Sequence, residues 1–344
     1  MGTLDHAVAL WRQLSAAGAE ADFAMGEPGL ELPEWISRET RGVRLIEDPL
    51  DAIAERRYQA VVMQMPYDDL KSEVWSTIGP DQAFTVYSGY SVWMVEWDHG
   101  AHGMPFFERC SLILSSSPFE KRTFQNSQHP PQLATWSGDP LLWESIHAPS
   151  PQPNESRILW TPHWTEKWVN GEPGFASWKT TVHDVLAVAR KRPDATFVVR
   201  GHPLMKVGGD DSQSRRASLA FRQLLDLPNT ELSDSSMMKD MAESTAHLTD
   251  GVGIIAYYAM FEKPQAIIRL KRRWPPYNPA GRAIVSAFVS LHNSRAIRRW
   301  LHKAASGRAK VSEGAAELTL QIFPLQEVSP GQVLVDVLRS SQTG

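Results

Sequence analysis

The chain has 344 residues, 42% of them hydrophobic and 22% charged, with a formal net charge of −4. This length predicts two domains, and the composition excludes a disordered, collagen-like or disulfide-stapled protein. The mild negative charge argues against a nucleic-acid partner, and the single cysteine, Cys110, can form neither an internal bridge nor a zinc cluster.

The opening run, residues 4–17, reads as a helix. It carries charges where a signal peptide would need an apolar core, and no later apolar run reaches the ~18 residues of a membrane span. With one cysteine this suits a reducing compartment, so a cytoplasmic protein is expected. Strand candidates follow at 43–46, 60–65, 83–87, 111–114 and 132–136, with a helix at 50–57. A proline-rich stretch around 147–156 reads as a linker. The alternation then restarts, with strands at 157–160, 196–200, 231–232, 246–249 and 265–270. Helices are expected at 178–191, 214–226, 236–243 and 253–262. This is the pattern of an α/β protein with parallel sheets. Two such domains, 1–150 and 151–344, would face a cleft, and doubly wound sheets place ligands at the C-terminal ends of their strands.

Charge is segregated along the chain. Residues 263–312 hold twelve Lys or Arg and no Asp or Glu, which leaves about −16 for the remainder. In a helix Arg295, Arg299 and Lys303 share one face, with Trp300 and Leu301 beside them. This is either a solvated helix or a surface that faces phosphates, an acidic polymer or an anionic membrane leaflet.

Four polar clusters sit at expected strand ends. Arg200 and His202 end one strand before Pro203; arginine offers a fixed fork of donors to phosphate, and histidine can donate to an oxyanion or move a proton. Thr249-Asp250-Gly251-Val252-Gly253 forms a strand–turn–helix junction whose N–H groups could meet a phosphate, while Asp250 could equally cap the helix. His163, two residues after Thr161, either faces the cleft or packs between its flanking tryptophans. In the first half, Asp98 beside His99 would suit an oriented general base. His99 and His102 could also ligate metal, but no third ligand stands at a supporting spacing, and the chain contains no Asp-x-Asp. Neither a Gly-x-Ser-x-Gly elbow nor a Walker loop is present. Cys110, beside a Leu-Ile-Leu run, reads as inert core.

The order of these clusters resembles the CDP-glycerol glycerophosphotransferase family, the teichoic-acid and capsule polymerases and primases. The resemblance rests on Ile158–His163, Phe197–Pro203, Leu248–Gly251 through Glu262-Lys263-Pro264, and Asn278-Pro-Ala-Gly281. Upstream, Tyr87-Ser-Gly-Tyr90, Asp98-His99-Gly100, Ser117-Pro-Phe119 and Ser137-Gly-Asp-Pro140 look like landmarks of the family's first domain. The ending, from Phe323-Pro324 to Leu338, is similar to its final helix.

That resemblance implies a GT-B fold of two Rossmann-like domains and a cytidine-diphosphate donor held by the second. Arg200 and His202 would touch the pyrophosphate, Thr249 to Gly253 would bind phosphate, and His99 would be the base. No cofactor or metal is implied; the partners would be the nucleotide-activated donor and a polymer or lipid-linked acceptor, at the inner face of the membrane. The chain departs from the family at Val252-Gly253, where two serines are usual, and at Tyr257, which is counted with the donor-binding residues but stands where a glutamate, a ribose ligand, is common. Its helical opening, where such a first domain starts with a strand, implies a truncated or abbreviated start. A sugar transferase with a nucleotide-sugar donor and a non-catalytic accessory subunit are the alternative readings.

Overall fold

In the computed structural model, the described residues are 2–24, 34–40, 43–46, 49–55, 58–64, 83–96, 104–147, 155–165, 174–202, 205, 207–209, 211–270 and 277–342. The expected base His99 with Asp98 and His102, the cations Lys271 to Arg273, Pro203 and most of the linker lie outside them. Contacts divide the chain into two units. One comprises 94–96 and 145–319; the other comprises 2–93, 97–144 and 320–344. The last residues, expected in the second domain, therefore count with the N-terminal unit. The physical reason is burial: the apolar stripe of the final helix, with Leu334 and Val335, shares a cluster with Leu10, Leu14, Val86 and Leu112.

In the N-terminal unit, strands β1 (Phe23–Ala24) and β2 (Leu45–Ile46) form a small parallel pair. Strands β3 (Ala60–Met63), β4 (Phe84–Ser88), β5 (Leu112–Ser115) and β6 (Ala134–Trp136) form a four-stranded parallel sheet in that order. Helices Gly2–Ala16 and Pro330–Gln342 pack on each other. A Cβ at Gly331 would stand 2.5 Å from Gln13 Cβ, so the crossing requires glycine there. The opposite sheet face buries an aromatic cluster in which Tyr87, Phe106, Phe107 and Phe124 meet edge to face.

In the C-terminal unit, β7 (Ser156–Thr161), β8 (Ala195–Val199), β9 (Thr230–Leu232), β10 (Ala246–Thr249), β11 (Gln265–Ile268) and β12 (Val289–Leu291) form one sheet. Its order is β12-β11-β10-β7-β8-β9, parallel throughout. This is the order of a Rossmann sheet, in which direction reverses between the first and fourth strands, here β7 and β10. Ile158, Trp160, Phe197, Val199, Leu248 and Ile268 pack with helices Trp178–Ala189, Ser212–Leu225 and Ser294–Ala304 on one face. Because side chains alternate along a strand, Thr161, His247 and Thr249 point to the other face.

Residues 94–96 belong to this unit because Val95 bridges Tyr277 in antiparallel fashion and Asn278 N–H donates to the Met94 carbonyl. A Cβ at Gly281 would lie 2.0 Å from that carbonyl oxygen. Asn278 caps helix Pro279–Ser286 by accepting from Gly281 N–H at 2.8 Å, with Pro279 in the first turn. The Asn-Pro-Ala-Gly run is thus a helix cap and a close crossing.

Candidate functional site

Strands β7 and β10 end side by side at Thr161 and Thr249, which are register partners. A closed chain of hydrogen bonds locks them. Thr249 Oγ1–H donates to the Thr161 carbonyl (3.0 Å) and Thr161 Oγ1–H donates to Thr249 Oγ1 (2.8 Å). A hydroxyl has one proton, so Thr161 Oγ1 must accept from His247 Nε2–H, 2.7 Å away. This fixes His247 as the neutral Nε2–H tautomer. Burial pushes its pKa down to about 3, and its ring packs on Tyr258 at 4.5 Å. Gly251 N–H donates to Thr249 Oγ1 at 2.8 Å, so this turn amide is already engaged.

Asp250 is buried and joins three segments. Its Oδ1 accepts from His163 N–H (2.7 Å), and its Oδ2 accepts from Ser177 N–H (2.6 Å) and Ser177 Oγ–H (2.8 Å). Burial nonetheless pushes its carboxyl above the ordinary 3.8. The helix-cap alternative for Asp250 does not hold, because Gly253 is the capping residue of helix Ile254–Ala259. Asp250 instead ties the loop after β7 to the start of helix Trp178–Ala189.

That tie places His163. Its Nδ1 accepts from Thr165 N–H at 3.3 Å and also meets the Thr165 hydroxyl, which leaves the proton on Nε2. Among the described residues Nε2 has no partner, and the ring's Cδ2 edge faces the space a Cβ at Gly251 would take, 4.0 Å away. Phe175 stacks on the ring at 4.8 Å and His202 approaches it at 4.9 Å. His163 therefore does not pack between its flanking tryptophans: Phe175 and His202 flank the ring, Trp164 lies 6.1 Å away and Trp160 belongs to the core on the other sheet face. Burial, then the neighbouring His202, hold its pKa well below 6.5.

His202 follows β8, its N–H donating to the Pro162 carbonyl, and Trp164 lies 5.9 Å from its ring. Burial lowers its pKa to about 3. Both imidazoles are therefore neutral hydrogen-bond donors near pH 7 rather than cations. Arg200 is held by other partners: its Nη1 donates to Asp240 (3.0 Å), Ser233 (3.2 Å) and the Ser235 carbonyl. Asp240 and Ser233 are partners that the sequence does not mark, since nothing local links them to Arg200.

The structure brings His163, His202, Thr249, Asp250 and Gly251 together at the strand ends, with Val252 and Gly253 leading into the helix. Tyr257 is only 1% exposed, which corrects its expected role as a donor ligand: its ring belongs to the core. Among the described residues no three His, Cys, Asp or Glu side chains could hold a metal ion.

No protein-family profile matches the chain, and no curated protein matches its sequence. Solved structures match it over nearly its whole length. The wall teichoic acid polymerase TagF, soaked with CDPG, is 10% identical with a TM-score of 0.61, over 97% of this chain and 85% of that one. A putative UDP-N-acetylglucosamine 2-epimerase from Listeria monocytogenes is 11% identical with a TM-score of 0.60, over 98% and 93%. The UDP-GlcNAc 2-epimerase from Neisseria meningitidis, bound to UDP-GlcNAc, gives 11% and 0.57 over 98% and 97%.

The chain has the GT-B fold. Its second Rossmann-like unit carries the switch point between β7 and β10, and among the described residues the polar groups that converge there are those just named. At this level of identity the likeness gives architecture, and the chemistry must be argued from the site.

Proposed function

We propose that the protein is a GT-B transferase that holds a nucleotide-diphosphate donor at the ends of β7, β8 and β10. The observation that carries this reading is the Nε2–H of His163, fixed in tautomer by Thr165 and presented beside Gly251 at the switch point. A neutral donor next to a glycine suits a diphosphate oxygen, which gains hydrogen bonds without a Cβ in its way. His202, 4.9 Å from His163 between ring centres, would add a second donor. Arg200, neutralised by Asp240, would act by fixing this edge more than by contributing net charge.

For a CDP-glycerol-like donor, the acceptor hydroxyl oxygen attacks the phosphorus that bears glycerol. The bond from that phosphorus to the bridging oxygen breaks, CMP leaves with the electron pair, and His99 takes the hydroxyl proton. Positioning and stabilisation of phosphate charge dominate such a step. The acceptor would be the hydroxyl of a cell-surface polymer or its lipid-linked precursor, and no metal ion is needed. A second reading, a UDP-sugar donor held at the same edge, is supported by two similar structures named as UDP-GlcNAc 2-epimerases, one of them as putative.

Thermal-shift titration with CDP, CMP, UDP, GDP and ADP identifies the nucleotide, since a ligand at a hundred times its Kd adds about 2.7 kcal/mol of stability. Product analysis then separates the readings: CMP marks glycerophosphate transfer, UDP marks sugar transfer, an altered sugar nucleotide marks epimerisation. Binding without turnover marks an accessory subunit. His202→Ala should weaken nucleotide binding by about 1.5–3 kcal/mol. His99→Ala should leave binding intact and lower turnover on the order of 10²–10⁴-fold. Normal binding and turnover in His202→Ala would overturn the donor site.

A further inference from the structure

Three helices lie side by side on one face of the C-terminal sheet, with Trp178–Ala189 between Ser212–Leu225 and Ser294–Ala304. Their buried sides are apolar: Val182, Val185, Ala217, Phe221, Ile297 and Leu301 all join the core. Their outward sides are of one sign. Helix Ser212–Leu225 carries Arg215, Arg216 and Arg222, and helix Ser294–Ala304 carries Arg295, Arg298, Arg299 and Lys303. The middle helix carries Lys179 and leads into Arg190-Lys191-Arg192. Asp184 is the single acidic residue in the three helices, and it is buried and bonded to Arg298 at 2.6 Å.

Not every cation of the basic stretch reaches this face. Lys263 donates to the Met241 and Ala242 carbonyls, and Arg282 reaches the Tyr277 carbonyl. Arg192 is paired with Asp194, and Asp211 is committed to Ser214 as a helix cap. Arg216, Arg222, Arg295, Arg299 and Lys303 are exposed, with no ion pair to any of them among the described residues.

Between the first two helices runs an open groove of about 380 Å³. Leu186, Ala187, Leu219 and Ala220 line it together with Arg190 and Arg216, and Leu219 is 54% exposed.

We propose that this outward helical face docks on an anionic lipid bilayer, with Leu219 and the groove entering the headgroup layer. Helices pack about 8–10 Å apart, so three of them make a surface roughly 20 Å across. A single anionic chain could follow one row of such a surface, whereas a bilayer meets all of it. Cations around an exposed leucine supply both parts of interfacial binding, attraction to anionic headgroups and apolar insertion. No helix among the described residues is long and apolar enough to cross a membrane, so the contact is made from one side. This proposal does not depend on the reaction assigned to the strand ends.

The test is flotation of the whole protein with vesicles of phosphatidylcholine, with and without phosphatidylglycerol, as salt is raised. Binding should require phosphatidylglycerol and weaken steeply with salt. The triple variant Arg216→Gln/Arg295→Gln/Arg299→Gln should bind about a hundred-fold more weakly, at ~1 kcal/mol for each cation near the surface. These side chains are exposed, so unfolding temperature should not change. Leu219→Ser should also weaken vesicle binding, while binding to heparin, a soluble polyanion without an apolar layer, should be unaffected by that uncharged change. Unaltered vesicle binding in the triple variant overturns the proposal. Binding to heparin but not to phosphatidylglycerol vesicles overturns it in favour of a soluble polyanion.

Discussion

At two strand ends of the N-terminal unit polar side chains cap the helix that follows, whereas at the end of β10 in the C-terminal unit a carboxylate joins separate segments. After β5, Ser117 accepts from Glu120 N–H and Glu120 accepts from Ser116 N–H, a reciprocal cap for helix Pro118–Gln125. After β6, Asp139 accepts from Leu141 N–H and Leu142 N–H. After β10, by contrast, Asp250 binds the loop after β7 and the start of the next helix, and caps nothing. One parallel-sheet plan therefore places helix caps at these strand ends in one unit and a carboxylate that positions an imidazole in the other. Charge divides along the same line. The unit of 145–319 with 94–96 holds 24 Lys and Arg against 17 Asp and Glu, +7, while the rest holds 11 against 22, −11. The net −4 conceals a strongly polarised molecule.

Three expected effects put this contrast to the test. The largest effect is expected at Asp250. Asp250→Ala orphans two N–H groups, at about 1–3 kcal/mol each, and should also release His163 and weaken nucleotide binding. Asp139→Ala in the N-terminal unit should reduce stability alone. Urea unfolding with nucleotide titration of both variants checks this, and equal nucleotide affinity in the two would erase the distinction.

The next effect is acid sensitivity. The unfolded chain protonates His247 below its ordinary 6.5, while the folded protein resists until about 3. Stability is therefore full above pH 6.5 and falls as pH drops through that window, by about 2 kcal/mol for this residue at pH 5. His163 and His202 add in the same direction. Urea midpoints at pH 7 and 5 should differ less in His247→Gln than in the parent.

The smallest effect is expected from Ser117→Ala, about 1 kcal/mol for a lost helix cap, with nucleotide binding unchanged.

Much of the fold and of the site is legible in the sequence alone. The strand expected at 246–249 has the observed bounds, and the other expected strands lie within two residues of those in the sheets. Buried parallel strands read as continuous apolar runs ended by glycine or proline, so their C-terminal ends, and hence His163, His202 and Thr249, stand out. β12 carries no such signal: Val289-Ser-Leu291 is an edge strand of three residues, made one by its pairing with β11. The helix at the C-terminus is visible in the sequence, but not the sheet it covers.

Periodicity, helix caps and the glycines at Gly251 and Gly281 are written in the chain, because each depends on neighbours within a few residues. The total charge of each segment is written there too. Folding added what no local pattern carries: Arg200 is held by Asp240, Tyr257 is buried, and Arg298 answers Asp184. It also gathered cations from three separate helices into one face. Those outcomes depend on which side of a strand or helix meets another element far along the chain, and burial, not local propensity, makes that choice.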